Sequence, residues 1–460
     1  MSGVDWSSGW VWVVDISDMD LNLYRGQSGR VIRRLVVFSD DFGRHPSSSQ
    51  HLVRELLKVN RGCCGSGDCS DCETYRATWV NTVGTRTPEL SKADFVRAVG
   101  KVRQWAGSGH PSRAGEVLTG FRGGGCGWPR DLLGYVQRVN PKMWPGFRRT
   151  WQRRVNAGSI AGAVQKSLGE RVAGEQRIVI TTLPITADLV GRLDVDRWIY
   201  YCVDDFSAWP GLDSAVMQSM EQELIGKVDD VVTVSQTLQE RIAGMGRDSA
   251  LLTHGIDRDH WETFSRERLV ERGRLPGWWP QVSGPVALFW GLIDQRLDVD
   301  WCNALTDELG KRDGCLVLAG PEQNMDTTVR ELKNTVLPGA IGYDDLPELA
   351  ALADVLVMPY VDEAVTRAMQ PLKLKEYLAT DRPVVVRDLP ATAGWSDCCD
   401  VMGDAGAFAK ACLDRADSGL LPVQRQARQQ RLAGEDWSDK ALVLSRIWKG
   451  HENTDMRSAA

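Results

Sequence analysis

Continuous apolar runs alternate along the chain with segments in which apolar residues recur at helical spacing. The first run is RLVVFS at 34–39, and the segment SSSQHLVRELLKV follows it with helical spacing and serines placed to cap it. Runs that are apolar on both faces and are separated by helices predict a parallel sheet. The same alternation returns at 76–81, 177–184, 197–205, 229–242 and 249–257.

A second series of apolar runs begins after a stretch rich in proline, glycine and tryptophan at 272–284, which indicates a linker. The runs beyond it lie at 285–291, 315–321, 335–343, 353–360 and 382–388. The simplest architecture is an α/β fold of two Rossmann-like domains that face a cleft. The predicted order is an extension at 1–30, a first domain at 31–270, a linker at 271–284, a second domain at 285–430, and a C-terminal helix and tail at 431–460, which can cross back onto the first domain.

Composition places the chain among soluble, enzyme-like proteins. Its 460 residues exceed the size at which one core usually stops growing, and 43% hydrophobic with 25% charged residues is a globular composition. A net charge of −6 argues against a chain whose whole surface binds nucleic acid and leaves room for local basic patches. No apolar run approaches a membrane span, and acids stand where a signal peptide needs basic residues, so we expect a cytoplasmic protein. Scattered single cysteines indicate reduced core thiols at Cys202, Cys302, Cys315 and Cys412.

Two strand ends of the second domain carry candidate ligand-binding residues. In open parallel sheets ligands bind beyond the carboxyl ends of the strands, where helix N-termini offer free N–H groups to anions. Gly291 ends the first run and Arg296 follows it before the next helix, a corner that suits a diphosphate. A proline opens the helix predicted at 371–379, which carries Lys373 and Glu376 on one face. A carboxylate can bind two ribose hydroxyls and an ammonium can bind a phosphate, although a tight turn, a solvated arginine and a helical ion pair would give the same pattern.

One long segment carries a family resemblance. The segment ADVLVMPYVDEAVTRAMQPLKLKEYLATDRPVVV at 353–386 closely resembles the nucleotide-sugar-binding signature of GT-B glycosyltransferases, especially the group-1, family-4-like enzymes of bacterial cell-surface polysaccharides. The likeness covers roughly 31–430 in the correct sequential order. Further stretches that match lie at 41–52, 199–211, 231–242, 253–261, 287–298, 315–321 and 341–355.

The resemblance implies a donor site in the second domain. In this class the glutamate of the KLKEYLA-like helix binds the nucleotide ribose, which makes Glu376 the ribose candidate. The other implied donor contacts are Gly291, Arg296 and Lys373 near the diphosphate, Thr366 in the loop over the phosphates or sugar, and Ile341, Gly342 and Tyr343 at the nucleobase. The donor is expected to be a UDP-, GDP- or dTDP-sugar, with no other cofactor.

The resemblance also implies that the loop after the first strand faces the donor from the first domain. Arg44, His45 and Ser48 are therefore placed to reach the phosphate or the acceptor, and His45 is also a catalytic candidate.

The stereochemical mechanism stays open in the sequence. Retaining members of the class carry a second glutamate eight positions before the ribose glutamate, and Ala368 stands there. An inverting enzyme needs a positioned general base, which Asp204 or Asp205 can supply at the end of a strand. The alternative is that one of the two caps the next turn and the other is solvated. We expect no metal at this pair, because helix N-termini and basic side chains can offset the charge of the leaving group in this fold.

The segment CCGSGDCSDC at 63–72 matches nothing in the family pattern. Its four cysteines, Cys63, Cys64, Cys69 and Cys72, can hold a zinc ion in principle. Adjacent cysteines rarely ligate one ion, and a second separated Cys-x-x-Cys is missing, so a loop rich in glycine and serine is the favoured interpretation.

A basic, aromatic segment lies at 138–154. Six basic residues alternate there with Trp144, Phe147 and Trp151, and no acid is present. This mixture suits anionic lipid headgroups or a lipid-diphosphate acceptor at the inner face of a membrane, and it equally suits nucleic acid or a solvated helix face.

The sequence therefore predicts a glycosyltransferase that moves a sugar from a nucleotide-sugar to a hydroxyl of a glycan, lipid-linked or small-molecule acceptor. Two alternatives remain. One is a nucleotide-sugar epimerase of the same fold, and the other is a non-catalytic nucleotide-sugar-binding or scaffold protein, which Ala368 makes conceivable.

Overall fold

A computed structural model describes residues 31–43, 47–62, 73–81, 128–209, 212–261 and 275–458. Arg44, His45 and the cysteine segment 63–72 lie outside the described residues, as does the extension at 1–30. Within the described residues the chain forms two parallel sheets, each covered by helices and each with its own apolar core.

The first described sheet has the strand order β3-β2-β1-β4-β5-β6-β7, and its strands pair in parallel. Its centre is β1, which pairs with β2 on one side and β4 on the other, so the chain order reverses there. The strands are β1 (Ile32–Ser39), β2 (Thr74–Asn81), β3 (Val136–Val139), β4 (Glu175–Thr181), β5 (Arg197–Cys202), β6 (Asp230–Thr233) and β7 (Ala250–Leu251).

Helices cover this sheet on both faces, as parallel strands buried on both sides require. Ser47 caps the first helix, because its hydroxyl accepts a hydrogen bond from the Gln50 N–H. The helices are α1 (Ser48–Lys58), α2 (Arg130–Leu133), α3 (Thr150–Leu168), α4 (Ser214–Ile225) and α5 (Gln236–Gly244).

The second described sheet has the order β10-β9-β8-β11-β12-β13, and its strands are also parallel. Here β8 is the strand at which the order reverses. The strands are β8 (Val286–Trp290), β9 (Cys315–Ala319), β10 (Thr335–Gly339), β11 (Val355–Met358), β12 (Val384–Arg387) and β13 (Asp400–Met402). The helices are α6 (Val299–Gly310), α7 (Leu346–Leu352), α8 (Ala364–Ala368), α9 (Leu372–Leu378), α10 (Pro390–Ala393), α11 (Ala405–Ser418) and α12 (Pro422–Leu432).

The last helix, α13 (Trp437–Ser458), returns from the second sheet to the first. Its Leu444 and Trp448 side chains are buried in the core of the first sheet, and its Lys449 Nζ lies 2.7 Å from Glu73 Oε2. The expected crossing of the C-terminal helix is therefore present, and it ties the two halves of the fold together.

The interior thiols agree with the sequence expectation. Cys202, Cys302, Cys315 and Cys412 are all buried and free, and burial raises the pKa of each thiol above its ordinary value. Among the described helices, none combines the length and the apolar character needed to cross a membrane.

Candidate functional site

A cavity of about 280 Å³ opens at the carboxyl ends of β8 and β9, and we call it the main cavity. His51 of α1 lines it from the first domain, so the main cavity lies between the two domains. It brings together five of the residues expected in the donor site, namely Gly291, Ile341, Tyr343, Lys373 and Glu376.

Two glycines form the floor of the main cavity. A Cβ added at Gly291 (φ 147°) would lie 2.1 Å from Lys373 Cε, and one added at Gly320 would lie 1.6 Å from the Gly291 carbonyl oxygen. The contact at Gly320 is with fixed backbone, so this strand end requires glycine. At Gly291 the Lys373 side chain can shift, and it is the φ of 147° that favours glycine there. The bare backbone thus leaves room for a ligand and for the Lys373 side chain.

The Glu376 carboxylate stands in the wall of the main cavity. Its Oε2 accepts a hydrogen bond from Trp290 Nε1 at 3.1 Å, and Oε1 has no hydrogen bond to any described residue. Burial raises the pKa of Glu376, while the Trp290 hydrogen bond and the Lys373 charge lower it. The indole fixes the carboxylate and leaves one oxygen for hydroxyl groups of a ligand.

Lys373 lines the main cavity together with Glu376. Its Nζ donates to the Tyr360 hydroxyl at 3.1 Å and lies 5.9 Å from the ring centres of Phe289 and Tyr360. An ammonium has three donors, so this contact orients Lys373 and leaves donors for an anionic ligand.

Aromatic rings pack around Tyr343 on the opposite wall. Tyr343 stacks on His260 with ring centres 4.2 Å apart, Trp261 meets it edge-on, and the His51 ring lies 5.7 Å away. Burial lowers the pKa of both His51 and His260, so their rings are neutral near pH 7. This wall is therefore flat, apolar and uncharged, as a planar heterocyclic ligand requires.

Arg296 lies beside the main cavity and not in its lining. Its guanidinium pairs with Asp294, with Nη2 2.8 Å from Oδ2, and its Cζ lies 5.3 Å from the ring of Trp209 in the first domain. A side chain from the second domain therefore touches the first domain directly across the cleft.

The structure separates the two candidate carboxylates at the end of β5. Asp205 caps the turn at 206–208 through the Ser207 N–H, and its Oδ2 lies 3.1 Å from Arg241 Nε. Asp204 has no side-chain hydrogen bond or ion pair to any described residue. Burial raises the pKa of Asp204 to about 7, with Arg296 lowering it and Asp205 raising it further. Asp205 is thus held by its neighbours, whereas the Asp204 carboxyl has no hydrogen bond or ion pair to the described residues.

Three further predicted contacts, Thr366, Ser48 and Gly342, do not line the main cavity. The Thr366 hydroxyl is fully buried, donating to the Val361 carbonyl at 2.5 Å and accepting from the Glu363 N–H at 3.0 Å. Its hydroxyl therefore holds the α8 loop together and does not face the main cavity. Ser48 is buried as the first residue of α1. Gly342 precedes the short turn at 343–345 without lining the main cavity.

Ala368, at the position where the sequence resemblance implies a glutamate in retaining enzymes, is buried against the first domain. It belongs to the core of the first sheet, and its carbonyl accepts a hydrogen bond from the Ser235 hydroxyl at 3.2 Å. The α8 loop is therefore docked on the first domain at this residue.

Sequence reasoning missed several residues of the site. Trp290 and Gly320 lie at the carboxyl ends of apolar runs, so the strand-end rule that selected Gly291 also covers them. His51 and Trp209 come from the first domain, and only the closed tertiary arrangement brings them to the second. Among the described residues, no group of three or more histidines, cysteines and acids is arranged to hold a metal ion.

Comparison with known proteins identifies the second domain. A family model described as glycosyl transferases group 1 matches residues 284–417, which contain the second sheet and most of the main cavity. Residues 284–417 are therefore similar in sequence to group 1 glycosyltransferases. The sequence resemblance to this group is thereby confirmed.

A curated relative is also named as a glycosyltransferase. The chain is 29% identical over 237 residues to a Bacillus subtilis (strain 168) protein named as the teichuronic acid biosynthesis glycosyltransferase TuaH. The match covers 48% of this chain and spans 57% of the length of that relative.

Solved glycosyltransferase structures share the whole fold. Sucrose-phosphate synthase from Thermosynechococcus elongatus has a TM-score of 0.60 at 12% identity, covering 92% of this chain and 100% of its own. Anabaena Alr3699/HepE, solved in complex with UDP, has a TM-score of 0.56 at 11% identity, covering 91% and 100%. The predicted α/β fold of two facing Rossmann-like domains is therefore confirmed as GT-B.

Proposed function

We propose that this chain is a glycosyltransferase that transfers a sugar from a nucleotide-sugar to a hydroxyl of a glycan, lipid-linked or small-molecule acceptor. The observation that carries the proposal is the main cavity of the group 1 domain. There a carboxylate with one free oxygen, an ammonium and a flat aromatic wall surround a backbone floor. These groups match the ribose, the diphosphate and the base of a nucleotide, and a GT-B relative was solved with UDP.

In this proposal the nucleotide lies along the wall of the second domain. Glu376 accepts hydrogen bonds from the ribose hydroxyls, Tyr343 and Ile341 contact the base, and Lys373 binds the diphosphate. Arg296 lies close enough to neutralise charge that develops on the leaving diphosphate, exchanging part of its pairing with Asp294. Such fixed positive groups stabilise a departing anion without needing a metal.

The first domain supplies the acceptor side. Asp204 lies at the end of β5, and the opposing charge of Arg296 acts on its carboxylate across the cleft. A carboxylate with a pKa of about 7 is suited to removing a proton from an acceptor hydroxyl near neutral pH. Direct attack with Asp204 as the base would invert the configuration of the transferred sugar.

Replacing Glu376 by Gln should weaken nucleotide binding about 10- to 100-fold, because hydrogen bonds to a charged group contribute roughly 1.5–3 kcal/mol. Isothermal titration of UDP, GDP and dTDP gives the affinities, and release of nucleotide from UDP-, GDP- and dTDP-sugars gives turnover. Glu331→Gln, an exposed position in the same domain, is the matched control and should change nothing.

Three outcomes separate the alternatives. Unchanged affinity in the Glu376 variant would remove Glu376 from the ribose site. Nucleotide binding by the wild-type protein without any release from the sugars would favour the non-catalytic alternative, and interconversion of the sugar without release would favour the epimerase.

We further propose that the segment 138–154 brings the enzyme to an anionic membrane surface carrying a lipid-linked acceptor. Trp144 and Trp151 are 50% and 45% exposed and contact each other with ring centres 5.2 Å apart. Lys142, Arg149 and Arg154 are exposed around them. Exposed tryptophans beside free cations are typical of surfaces that bind lipid headgroups.

Only part of the basic character of this segment is available. Arg148 is paired with Asp213, Arg153 is held between Asp188 and Glu223, and burial lowers the pKa of Arg138. The exposed half of the segment, and not all six cations, therefore supports the proposed membrane contact.

Replacing both Trp144 and Trp151 by Ala should weaken binding to vesicles containing phosphatidylglycerol by about 10-fold or more, because the apolar area that enters the headgroup layer is lost. Co-sedimentation with and without the anionic lipid gives the measurement. The double variant of Leu442 and Val443, two equally exposed apolar residues on α13, is the control. Equal loss in both double variants would contradict a specific surface at 138–154.

A further inference from the structure

The loop after β5, which carries Asp204, is tied to two helices by a chain of charged side chains. Arg241 of α5 lies between two carboxylates, with its Nη2 2.6 Å from Glu221 Oε2 on α4 and its Nε 3.1 Å from Asp205 Oδ2. The Glu221 side chain is only 1% exposed. We call Glu221, Arg241 and Asp205 together the Arg241 bridge.

Both carboxylates of the Arg241 bridge are held at each of their oxygens. Glu221 Oε1 accepts a hydrogen bond from the Tyr200 hydroxyl at 2.7 Å, and Asp205 Oδ1 accepts one from the Ser207 N–H at 3.0 Å. The other oxygen of each carboxylate faces Arg241. The guanidinium therefore fixes Asp205 relative to α4, because rotation of Asp205 would break one of its two contacts.

The Arg241 bridge holds the turn that separates two residues of the cleft. Asp205 caps the turn at 206–208, so Asp204 directly precedes the cap and Trp209 ends the turn. The Trp209 ring lies 5.3 Å from Arg296 Cζ of the second domain. The position of this turn therefore sets where Asp204 stands relative to the second domain.

Stability alone does not account for the Arg241 bridge. A buried ion pair often contributes no more to stability than well-packed apolar residues of similar volume, because both charges lose their water. Arg241 Nη1 adds to this cost, since it is buried without a hydrogen-bond partner among the described residues. What the bridge supplies is one fixed arrangement of the loop.

We infer that Arg241 is a positioning residue for sugar transfer, which acts through Asp205 to hold the loop that carries Asp204. The inference rests on the proposed function, in which Asp204 is the base. Arg241 does not line the main cavity, so its effect on the reaction passes through the loop and not through contact with the nucleotide.

The charges near Asp204 give this role a measurable signature. Burial raises the pKa of Asp204, the Arg296 charge lowers it, and the like charge of Asp205 raises it. The neighbouring Cys202 thiol is neutral, because burial raises its pKa.

The two partners of the bridge should therefore shift the pKa of Asp204 in opposite directions. On α5 and α4, Arg241 and Glu221 face Asp205. Loss of Arg241 leaves the negative charge of Asp205 without compensation, which raises the pKa of Asp204 further. Loss of the Asp205 charge lowers it.

The test follows the Asp204 carboxyl directly in the intact chain. Aspartate is labelled with carbon-13 at the carboxyl carbon, the Asp204→Asn variant assigns the signal, and its chemical shift is recorded from about pH 4 to about pH 9. The variants are Arg241→Gln, Asp205→Asn and the two combined. The same samples give kcat with UDP-, GDP- and dTDP-sugars and the affinities for UDP, GDP and dTDP.

Arg241→Gln should raise the Asp204 midpoint by at least about 0.5 pH unit and lower kcat about 10- to 100-fold, with nucleotide affinity changed less than about 2-fold. Asp205→Asn should lower the midpoint. In the combined variant the loss of Arg241 should add no rise, because the charge through which it acts is gone.

Two further variants separate positioning from folding. Glu221→Gln combined with Arg241→Gln removes the buried charge together with its partner, so this protein should fold and show the same rise in midpoint. Arg197→Gln is the matched control. It breaks a comparable ion pair with Asp230 at the opposite ends of β5 and β6, where the side chains are 16% and 15% exposed, and it should lower Tm without moving the midpoint or kcat.

A wild-type midpoint in both proteins that lack Arg241 but keep Asp205 would overturn the inference, as would an equal shift in Arg197→Gln. Failure of the proposed function has a different signature. In that case the wild-type protein releases no nucleotide from any of the sugars, or Asp204→Asn leaves turnover intact, while the carbon-13 titration still reports whether Arg241 acts on Asp204.

Discussion

Replacing Asp204 by Asn is expected to lower kcat by about 10²- to 10⁴-fold, the usual contribution of a general base, while nucleotide affinity changes by less than about 2-fold. The reason is the separation of roles at the end of β5. Asp205 is held by Ser207 and Arg241, whereas the Asp204 carboxyl has no hydrogen bond or ion pair to the described residues. Burial raises the pKa of Asp204 to about 7. Steady-state kinetics and nucleotide titration on the same samples give the two numbers.

The pH dependence of the wild-type enzyme follows from the same carboxyl group. Asp204 accepts a proton only when ionised, and burial raises its pKa to about 7. The value of kcat/KM should therefore rise between about pH 6 and pH 8 with a midpoint near 7, and the residual activity of the Asn variant should lack this rise. A wild-type profile that is flat across this range would contradict the assignment of Asp204 as the base.

Stability distinguishes lost catalysis from lost folding. Because the folded pKa of Asp204 lies above the ordinary value of 3.8, ionisation is disfavoured in the folded state, and this group lowers the free energy of unfolding as pH rises from about 4 to about 7, with no further loss above that. The Asn variant should consequently match the wild type in stability near pH 4 and be more stable than the wild type at both pH 6 and pH 8. Asp205→Asn is the informative control, because losing its pairing with Arg241 should lower Tm.

The helical pattern at 371–379 is a part of the candidate site that could be predicted from the sequence. Spacing and the proline predicted a short helix with Lys373 and Glu376 on one face, and the structure has this helix at Leu372–Leu378, with both side chains in the main cavity. Local sequence was sufficient to predict these two positions. Helical periodicity places both side chains on one face, and ligands bind beyond the carboxyl ends of parallel strands, near the start of the following helix.

Sequence could not rank residues whose role depends on tertiary contacts. Asp204 and Asp205 are adjacent acids in the chain, and only the positions of Arg241 and Arg296 on other elements give them different roles. Thr366 lies in the expected donor loop, but its hydroxyl turns inward to the Val361 carbonyl. His51 carries no sequence signal for a ligand site, because its helix reaches the main cavity only when the two domains meet.

Replacing Gly320 by Ala is expected to destabilise the second domain by about 3 kcal/mol, lowering the Tm of that domain by about 6–12 °C. A Cβ there would lie 1.6 Å from the Gly291 carbonyl oxygen, a backbone atom that no side-chain rotation can move aside. Any shift that relieves this contact also displaces Gly291 against Lys373, so nucleotide binding should fall even in the fraction that stays folded. Thermal and denaturant unfolding, followed by UDP titration below Tm, measure both effects.

Two other glycines serve as controls that distinguish a steric clash of the added Cβ from the cost of a left-handed backbone conformation. Gly339 has a φ of 82° with no atom within 4 Å of an added Cβ, so Gly339→Ala should cost only about 1 kcal/mol from the left-handed backbone. Gly394 has an ordinary negative φ and open space, so Gly394→Ala should be neutral or slightly stabilising. Gly320→Ala could instead lose no more stability than Gly339→Ala and keep its UDP affinity. That result would contradict the conclusion that the close approach of Gly320 to the Gly291 carbonyl shapes the floor of the main cavity.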